Sequence, residues 1–173
     1  MKRILLGLAV AYAALAVSAT PAAAQTTASD AIQVTGTVAG ALTVAAGNDL
    51  VFGVIIPGLA RAVLPTDPGA GTFLVNGEPG AGVQLTFPAL PTEITGPGAD
   101  IPLTLSLVYN TANDATTGTT IDPSTVTPTT ALSAGVGGGD LFIFLGGTVS
   151  PAVGQTAGSY ANTFTLQAMY VNN

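Results

Sequence analysis

The sequence predicts an all-β fold, an antiparallel β-sandwich of about seven or eight strands. After an apolar N-terminal segment, short runs of Val, Leu, Ile, Phe and Thr alternate with stretches rich in Gly, Pro, Asn and Asp. That alternation is typical of strands joined by turns. No apolar pattern with a helical period and a useful length follows residue 24. So many strands in a chain of this length suit two packed sheets better than a barrel or a repeat protein.

The chain opens with a segment typical of a secretory signal peptide. Two basic residues precede an apolar run of 14 residues, Ile4 to Val17, and Ala22 and Ala24 supply the small residues of an A-x-A cleavage site. The run is too short to cross a bilayer comfortably, and no later apolar run reaches about 18 residues. We therefore predict a signal peptide over residues 1–24, passage through the periplasm to the cell surface or beyond, and no membrane insertion after cleavage.

Composition and charge restrict the partners of the mature chain. Cleavage after Ala24 leaves 149 residues, a length suited to one domain. These contain nine acidic residues against one basic residue, Arg61, a net charge of −8. Such a chain repels phosphate backbones and anionic lipid surfaces, so we predict no nucleic-acid partner. Charged residues make up only 7% of the sequence, which is sparse for a free monomer and better tolerated in a polymer subunit.

The residue types of the mature chain leave few routes to catalysis. It contains no His, Cys, Trp or Lys, so a Ser nucleophile would lack a base and a zinc ion would find only carboxylates. A pair of carboxylates, as in glycoside hydrolysis, is the one open route. Almost all the acidic residues, however, lie beside Gly, Pro or Asn in predicted turns, where Asp bonds its own backbone. We predict no enzyme, no cofactor and no metal site, with a carboxylate hydrolase as the third-ranked hypothesis.

The first predicted strand of the mature chain, Ile32–Val38, is apolar on one side. Because side chains alternate along a strand, that side carries Ile32, Val34, Gly36 and Val38. Gly40 separates this strand from the residues that follow. We predict that residues 25–40 form an N-terminal extension and that residues 41–173 form the sandwich domain.

Seven further strands are predicted within the domain. They are Ala41–Ala45, Leu50–Val54, Gly71–Asn76, Gly82–Phe87, Ile101–Tyr109, Leu141–Leu145 and Tyr160–Val171. The strands Ile101–Tyr109 and Tyr160–Val171 alternate cleanly, which predicts one buried and one wet face. Leu141–Leu145 is apolar on both sides, as expected of a central strand or a subunit contact. The polar segment Asn110–Thr130 is predicted to be a long loop.

Three blocks of sequence resemble a known family. They are LVFGVIIPG (Leu50 to Gly58), GTFLVNGEPGAGVQLTFP (Gly71 to Pro88) and GSYANTFTLQAMYVN (Gly158 to Asn172). In this order they resemble the secreted bacterial family catalogued as domain of unknown function 4402. That family is similar to spore coat protein U and to pilus subunits of the chaperone–usher type, which have incomplete immunoglobulin-like sandwiches. The resemblance therefore implies a non-enzymatic structural subunit of a surface fibre, pilus or coat.

The resemblance also implies how such a subunit would assemble. In the pilin relatives the missing last strand comes from the N-terminal extension of the next subunit. Here the donated strand would carry Ile32, Val34, Gly36 and Val38. The groove that receives it would be lined by the final strand, with Tyr160, Phe164, Leu166 and Tyr170. The resemblance thus implies a homo-oligomer or polymer, of one subunit type or several, with a periplasmic chaperone and an outer-membrane usher as candidate partners.

One alternative function keeps the same fold. Ile32–Val38 would complete the sandwich of its own chain, and the protein would be a stable monomer. The loop Asn110–Thr130 would then recognise a glycan or a protein at the cell surface. The sequence alone does not distinguish a donated strand from an internal one.

Overall fold

The computed structural model describes residues 29–36, 38–124 and 129–171. The predicted signal peptide lies outside this part of the chain. The described residues form ten β-strands and no helix, in two antiparallel sheets. The predicted all-β class with two packed sheets is therefore confirmed. In the same residues no helix has the length and apolar character needed to cross a membrane.

The strands differ in length, and the two longest occupy the middle of one sheet. In chain order they are β1 (Thr43–Ala46), β2 (Arg61–Val63), β3 (Gly71–Asn76), β4 (Gly82–Thr86), β5 (Glu93–Ile94), β6 (Ile101–Asn110), β7 (Thr119–Ile121), β8 (Thr129–Ala131), β9 (Asp140–Val149) and β10 (Gln167–Tyr170). The large sheet has the order β1-β3-β9-β6-β5, with β2 also paired to β9 and β7 to β6. The small sheet has the order β10-β4-β8.

The core forms between the inner faces of the two sheets. Strand β9 supplies Leu141, Ile143 and Leu145 to it, opposite Val83 and Leu85 of β4. Burial of these side chains is the main stabilising term, at about 1.5–3 kcal/mol for each. The other face of β9 is also covered, which explains why this strand is apolar on both sides and confirms the prediction of a central strand.

Two predicted elements are wrong in detail. Leu50–Val54 is not a strand. Gly53 has a left-handed backbone with φ of 67°, which interrupts an extended conformation, and only Phe52 of the segment's middle is buried. Asn110–Thr130 is not simply a loop, because it contains β7 and begins β8. Thr favours strands, and the buried Ile121 anchors β7 against β6.

The two ends of the described chain also differ from the predicted strands. No strand is present in residues 29–36 or at Val38. The predicted strand Tyr160–Val171 is reduced to β10 and a single bridge between Ala161 and Thr95. The chain divides between residues 37 and 38 into two units, and all ten strands belong to the second.

Candidate functional site at an open edge of the sandwich

Strand β1 lies at the edge of the large sheet and leaves an inward-facing position uncovered. Among the described residues it pairs with β3 alone, in a register that sets Val44 opposite Val75 and Ala46 opposite Phe73. Residues opposite each other in an antiparallel pair point to the same face. Val44 therefore faces the core side with Val75, yet Val44 is 38% exposed and Val75 is fully buried. Among the described residues no strand pairs with the outer side of β1, and Val44 is covered less than Val75.

The C-terminal strand β10 is the corresponding edge of the small sheet. Within the described part of the chain it pairs with β4 alone, and its Ala168 and Tyr170 stand opposite the buried Leu85 and Val83. Both residues therefore face inward, but both are only half-buried. An edge strand also presents unpaired backbone N–H and C=O groups on its outer side. We call the region between β1 and β10, defined by these inward-facing residues, the open edge.

Aromatic side chains join the two sheets at the open edge. The ring of Phe164 lies 5.8 Å from that of Phe73 on β3 and 5.5 Å from that of Phe87, just after β4. All three rings are half-buried and pack against the main core. Such tilted aromatic pairs contribute about 0.5–1.5 kcal/mol beyond burial. The open edge thus has an apolar, partly solvent-exposed floor.

The structure brings together three of the four residues predicted to line a groove. Phe164, Leu166 and Tyr170 all pack against the main core beside β10. Tyr160 belongs to a second, smaller cluster of core residues. Its hydroxyl donates to the carbonyl of Thr156 and accepts from Gln155, so it fixes the start of the final segment instead of lining the open edge.

A small hydrogen-bonded latch holds the point where the domain begins. The Tyr170 hydroxyl donates to the Gly40 carbonyl at 2.9 Å and accepts from the backbone N–H of Glu78 at 2.7 Å. The Glu78 carboxylate accepts from the Gly40 N–H at 3.1 Å. Gly77 lies against the Tyr170 hydroxyl so closely that a Cβ there would collide with it. Sequence reasoning missed this latch, since its only signal was an isolated acid in the turn NGEPG.

The predicted donor residues have exposed side chains. Ile32 is 89% exposed, Val34 is 90% exposed and Val38 is 95% exposed. A Cβ added at Gly36 would find no atom within 4 Å. Burial of these three aliphatic side chains against a partner would be favourable.

Some of the acidic residues accept hydrogen bonds from the backbone of their own loops, as the turn pattern predicts. Asp67 accepts from the N–H of Leu64, and Asp114 accepts from the N–H and the hydroxyl of Thr116. The hydrogen bonds from Thr116, side chain first and then backbone, hold the pKa of Asp114 below its ordinary value. The described residues contain no group of three or more potential metal-binding side chains.

A shallow polar cavity lies between two of these loops. It has a volume of about 330 Å³ and is lined by residues that include Asp67, Asn113, Asp114 and Thr116, with Phe144 of β9. The carboxylates of Asp67 and Asp114 are already engaged by their own loops. The cavity could hold a small polar molecule through the remaining side chains.

Comparison with known proteins yields no relative, because no family model, curated protein or solved structure matches this chain. The resemblance drawn from the three sequence blocks therefore stays a prediction. The interpretation of the site depends on its geometry and chemistry.

Proposed function

We propose that this protein is a secreted, non-enzymatic structural subunit that assembles into a surface fibre or coat by adding a strand of one copy to the open edge of the next. The donated strand is Ile32–Val38, and the sandwich is of the incomplete, immunoglobulin-like kind. The observation that carries the proposal is Val44, an aliphatic side chain that faces the core side of an edge strand and remains exposed.

The chemistry of the two segments is complementary. The open edge presents half-buried apolar side chains and unpaired backbone groups, and an extended segment with apolar residues at every second position can satisfy both. Ile32, Val34 and Val38 would each contribute about 1.5–3 kcal/mol on burial, and each backbone hydrogen bond about 0.5–1.5 kcal/mol. A joint of this kind resists dissociation.

Strand addition between identical copies leads to a polymer. The contact joins two different surfaces, the extension of one copy and the open edge of another, so it is heterologous and continues head to tail. A subunit in transit would expose its open edge to aggregation. We therefore expect a periplasmic chaperone to cover that edge and an outer-membrane usher to order the assembly.

The proposal is tested by placing a charge on either side of the donated strand. Val34→Asp puts a carboxylate on the apolar side, where burying it without a partner is strongly unfavourable. Thr35→Asp puts the same charge on the opposite side of the same strand and serves as the matched control. We expect filaments in electron micrographs, and detergent-resistant oligomers on unheated gels, for the parent chain and Thr35→Asp only. Filaments of normal length and resistance from Val34→Asp would contradict the proposal.

A second candidate function is a monomeric binding module. The cavity of about 330 Å³ favours it, because Asn113 to Thr116 of the predicted recognition loop form part of its wall. In that case the chain would elute from a sizing column as a single monomer, and Asn113→Ala would weaken binding to a surface glycan or protein without changing that elution. Oligomers that resist detergent until heated would favour the first candidate.

A further inference from the structure

At one end of the sandwich, two loops lie beside Gly40, the point where the N-terminal extension leaves the domain. The loop of residues 77–81 is bonded to the loop of residues 133–139 through Gly77 N–H to Gly139 O at 2.9 Å and Gly80 N–H to Ser133 O at 3.1 Å. Glu78 of the first loop also holds Gly40. Gly40 and the two loops therefore form one connected surface, which we call the exit end.

The exit end displays an exposed aliphatic side chain. Val136 is fully exposed, between two glycines with left-handed backbones, Gly135 and Gly137. The turn around it is fixed, because the Ser133 hydroxyl accepts from the N–H groups of Gly139 and Asp140. A single exposed apolar side chain is ordinary at a protein surface, so the significance of Val136 comes from its position on the exit end, to which the donated strand is attached.

The tether between the donated strand and the exit end is very short. Only Ala39 separates Val38, the last donated residue, from Gly40, which the latch holds. Two residues of extended chain span at most about 7 Å, and neighbouring strands lie about 4.8 Å apart. A copy that takes Val38 into its own sheet must therefore lie directly against the exit end.

We infer that the exit end is a second contact surface between consecutive copies of this chain, with Val136 as its apolar contact. This inference rests on the proposed function, because it takes Ile32–Val38 to be the donated strand. The partner is a second copy, since the chain that receives the strand is the chain that the tether brings to this surface. The latch then holds Gly40, the residue from which the tether to the next copy begins.

The test uses a photo-crosslinker attached through cysteine, which the natural sequence does not contain. Val136→Cys carries a benzophenone maleimide at the exit end, and Pro79→Cys provides a second position in the adjoining loop. Thr104→Cys is the matched control, because Thr104 is exposed on β6, on the outer face of the large sheet. Each labelled chain is irradiated as an assembled polymer, and crosslinked dimers are counted on denaturing gels.

We expect several-fold more crosslinked dimer from positions 136 and 79 than from position 104. Equal yields from the three positions would overturn the inference. The same label on a chain that also carries Val34→Asp separates the two proposals. If the Val34→Asp chain does not polymerise, and positions 136 and 104 of the parent polymer crosslink equally, only the proposed exit-end contact is contradicted. If the Val34→Asp chain still polymerises, the proposed strand donation is contradicted.

Discussion

The centre of the large sheet and the open edge use the same kinds of side chain but leave them in different surroundings. Ile143 of β9 is fully buried between strands β3 and β6 and beneath the small sheet, whereas Val44 of β1 faces the same side and stays exposed. The difference lies in the neighbours, since β9 has a strand on both sides and β1 on one only. The comparison shows that the cover of an inward-facing residue depends on whether its strand has neighbours on both sides.

The largest expected effect is at the closed centre. Ile143→Ala would remove buried methyl groups and leave a cavity, so the free energy of unfolding should fall by about 2–5 kcal/mol. Val44→Ala removes a similar group at the open edge and should cost no more than about 0.5 kcal/mol in the monomer. Urea unfolding of the two variants, kept monomeric by Val34→Asp, measures the contrast. Equal losses would show that the edge is as well packed as the centre.

The latch is expected to have the next largest effect. Tyr170→Phe keeps the ring at the open edge and removes the hydroxyl that bonds Gly40 and Glu78. Loss of these two bonds should lower the free energy of unfolding by about 1–2 kcal/mol and speed hydrogen exchange at the Gly40 amide. Tyr109→Phe is the control, because no hydroxyl bond of Tyr109 is present among the described residues. Equal exchange rates at Gly40 in both variants would contradict a role for the latch.

The carboxylate of Glu78 tests the other half of the latch. Glu78→Ala removes the acceptor of the Gly40 N–H and leaves the two bonds of the Tyr170 hydroxyl in place. One solvent-exposed hydrogen bond to a carboxylate is expected to contribute about 1 kcal/mol or less. Exchange at the Gly40 amide should rise by at least as much as in Tyr170→Phe, because Glu78 is the direct acceptor of that N–H whereas Tyr170 bonds the Gly40 carbonyl. An unchanged exchange rate in Glu78→Ala would contradict the bond between Glu78 and Gly40.

The smallest expected effect is that of low pH on the loop that contains Asp114. Hydrogen bonds from Thr116 lower the pKa of Asp114 from its ordinary value of 3.8. The carboxylate therefore stabilises the folded loop above about pH 4, and this stabilisation is lost as the pH falls through the lowered pKa. An NMR titration should place the Asp114 midpoint below 3.8 in the parent chain and nearer to it in Thr116→Ala. An unchanged midpoint in that variant would contradict the assigned cause.

The sequence predicts best the strands whose order of apolar and polar residues reflects which of their faces are covered. Alternation identifies β6, and apolar residues on both sides identify β9, because each pattern follows directly from which faces are covered. The short strands β2, β5 and β7 escape prediction, since two or three residues carry no period and pair only because a long neighbour offers a free edge. Their existence depends on tertiary contacts.

The candidate site likewise has a part that the sequence predicts and a part that it does not. The inward side of the final segment is predictable from alternation, which places Phe164, Leu166 and Tyr170 together. Tyr160 lies on the same side of the alternating pattern. However, the final segment pairs with Thr95 at Ala161 and joins the small sheet only from Gln167 onward. Tyr160 therefore packs in the second, smaller core cluster. The latch is not predictable, because it joins Gly40, Glu78 and Tyr170 across distant parts of the chain.

The central claim is that Ile32–Val38 of one copy covers the open edge of another. Solid-state NMR on the assembled polymer tests it through contacts between the Val34 side chain and Val44 or Phe164. We expect these contacts in polymers of uniformly labelled chains and expect them to disappear when labelled chains are diluted into a large excess of unlabelled ones. Contacts that persist at full strength after dilution would place the strand in its own sandwich and contradict the claim.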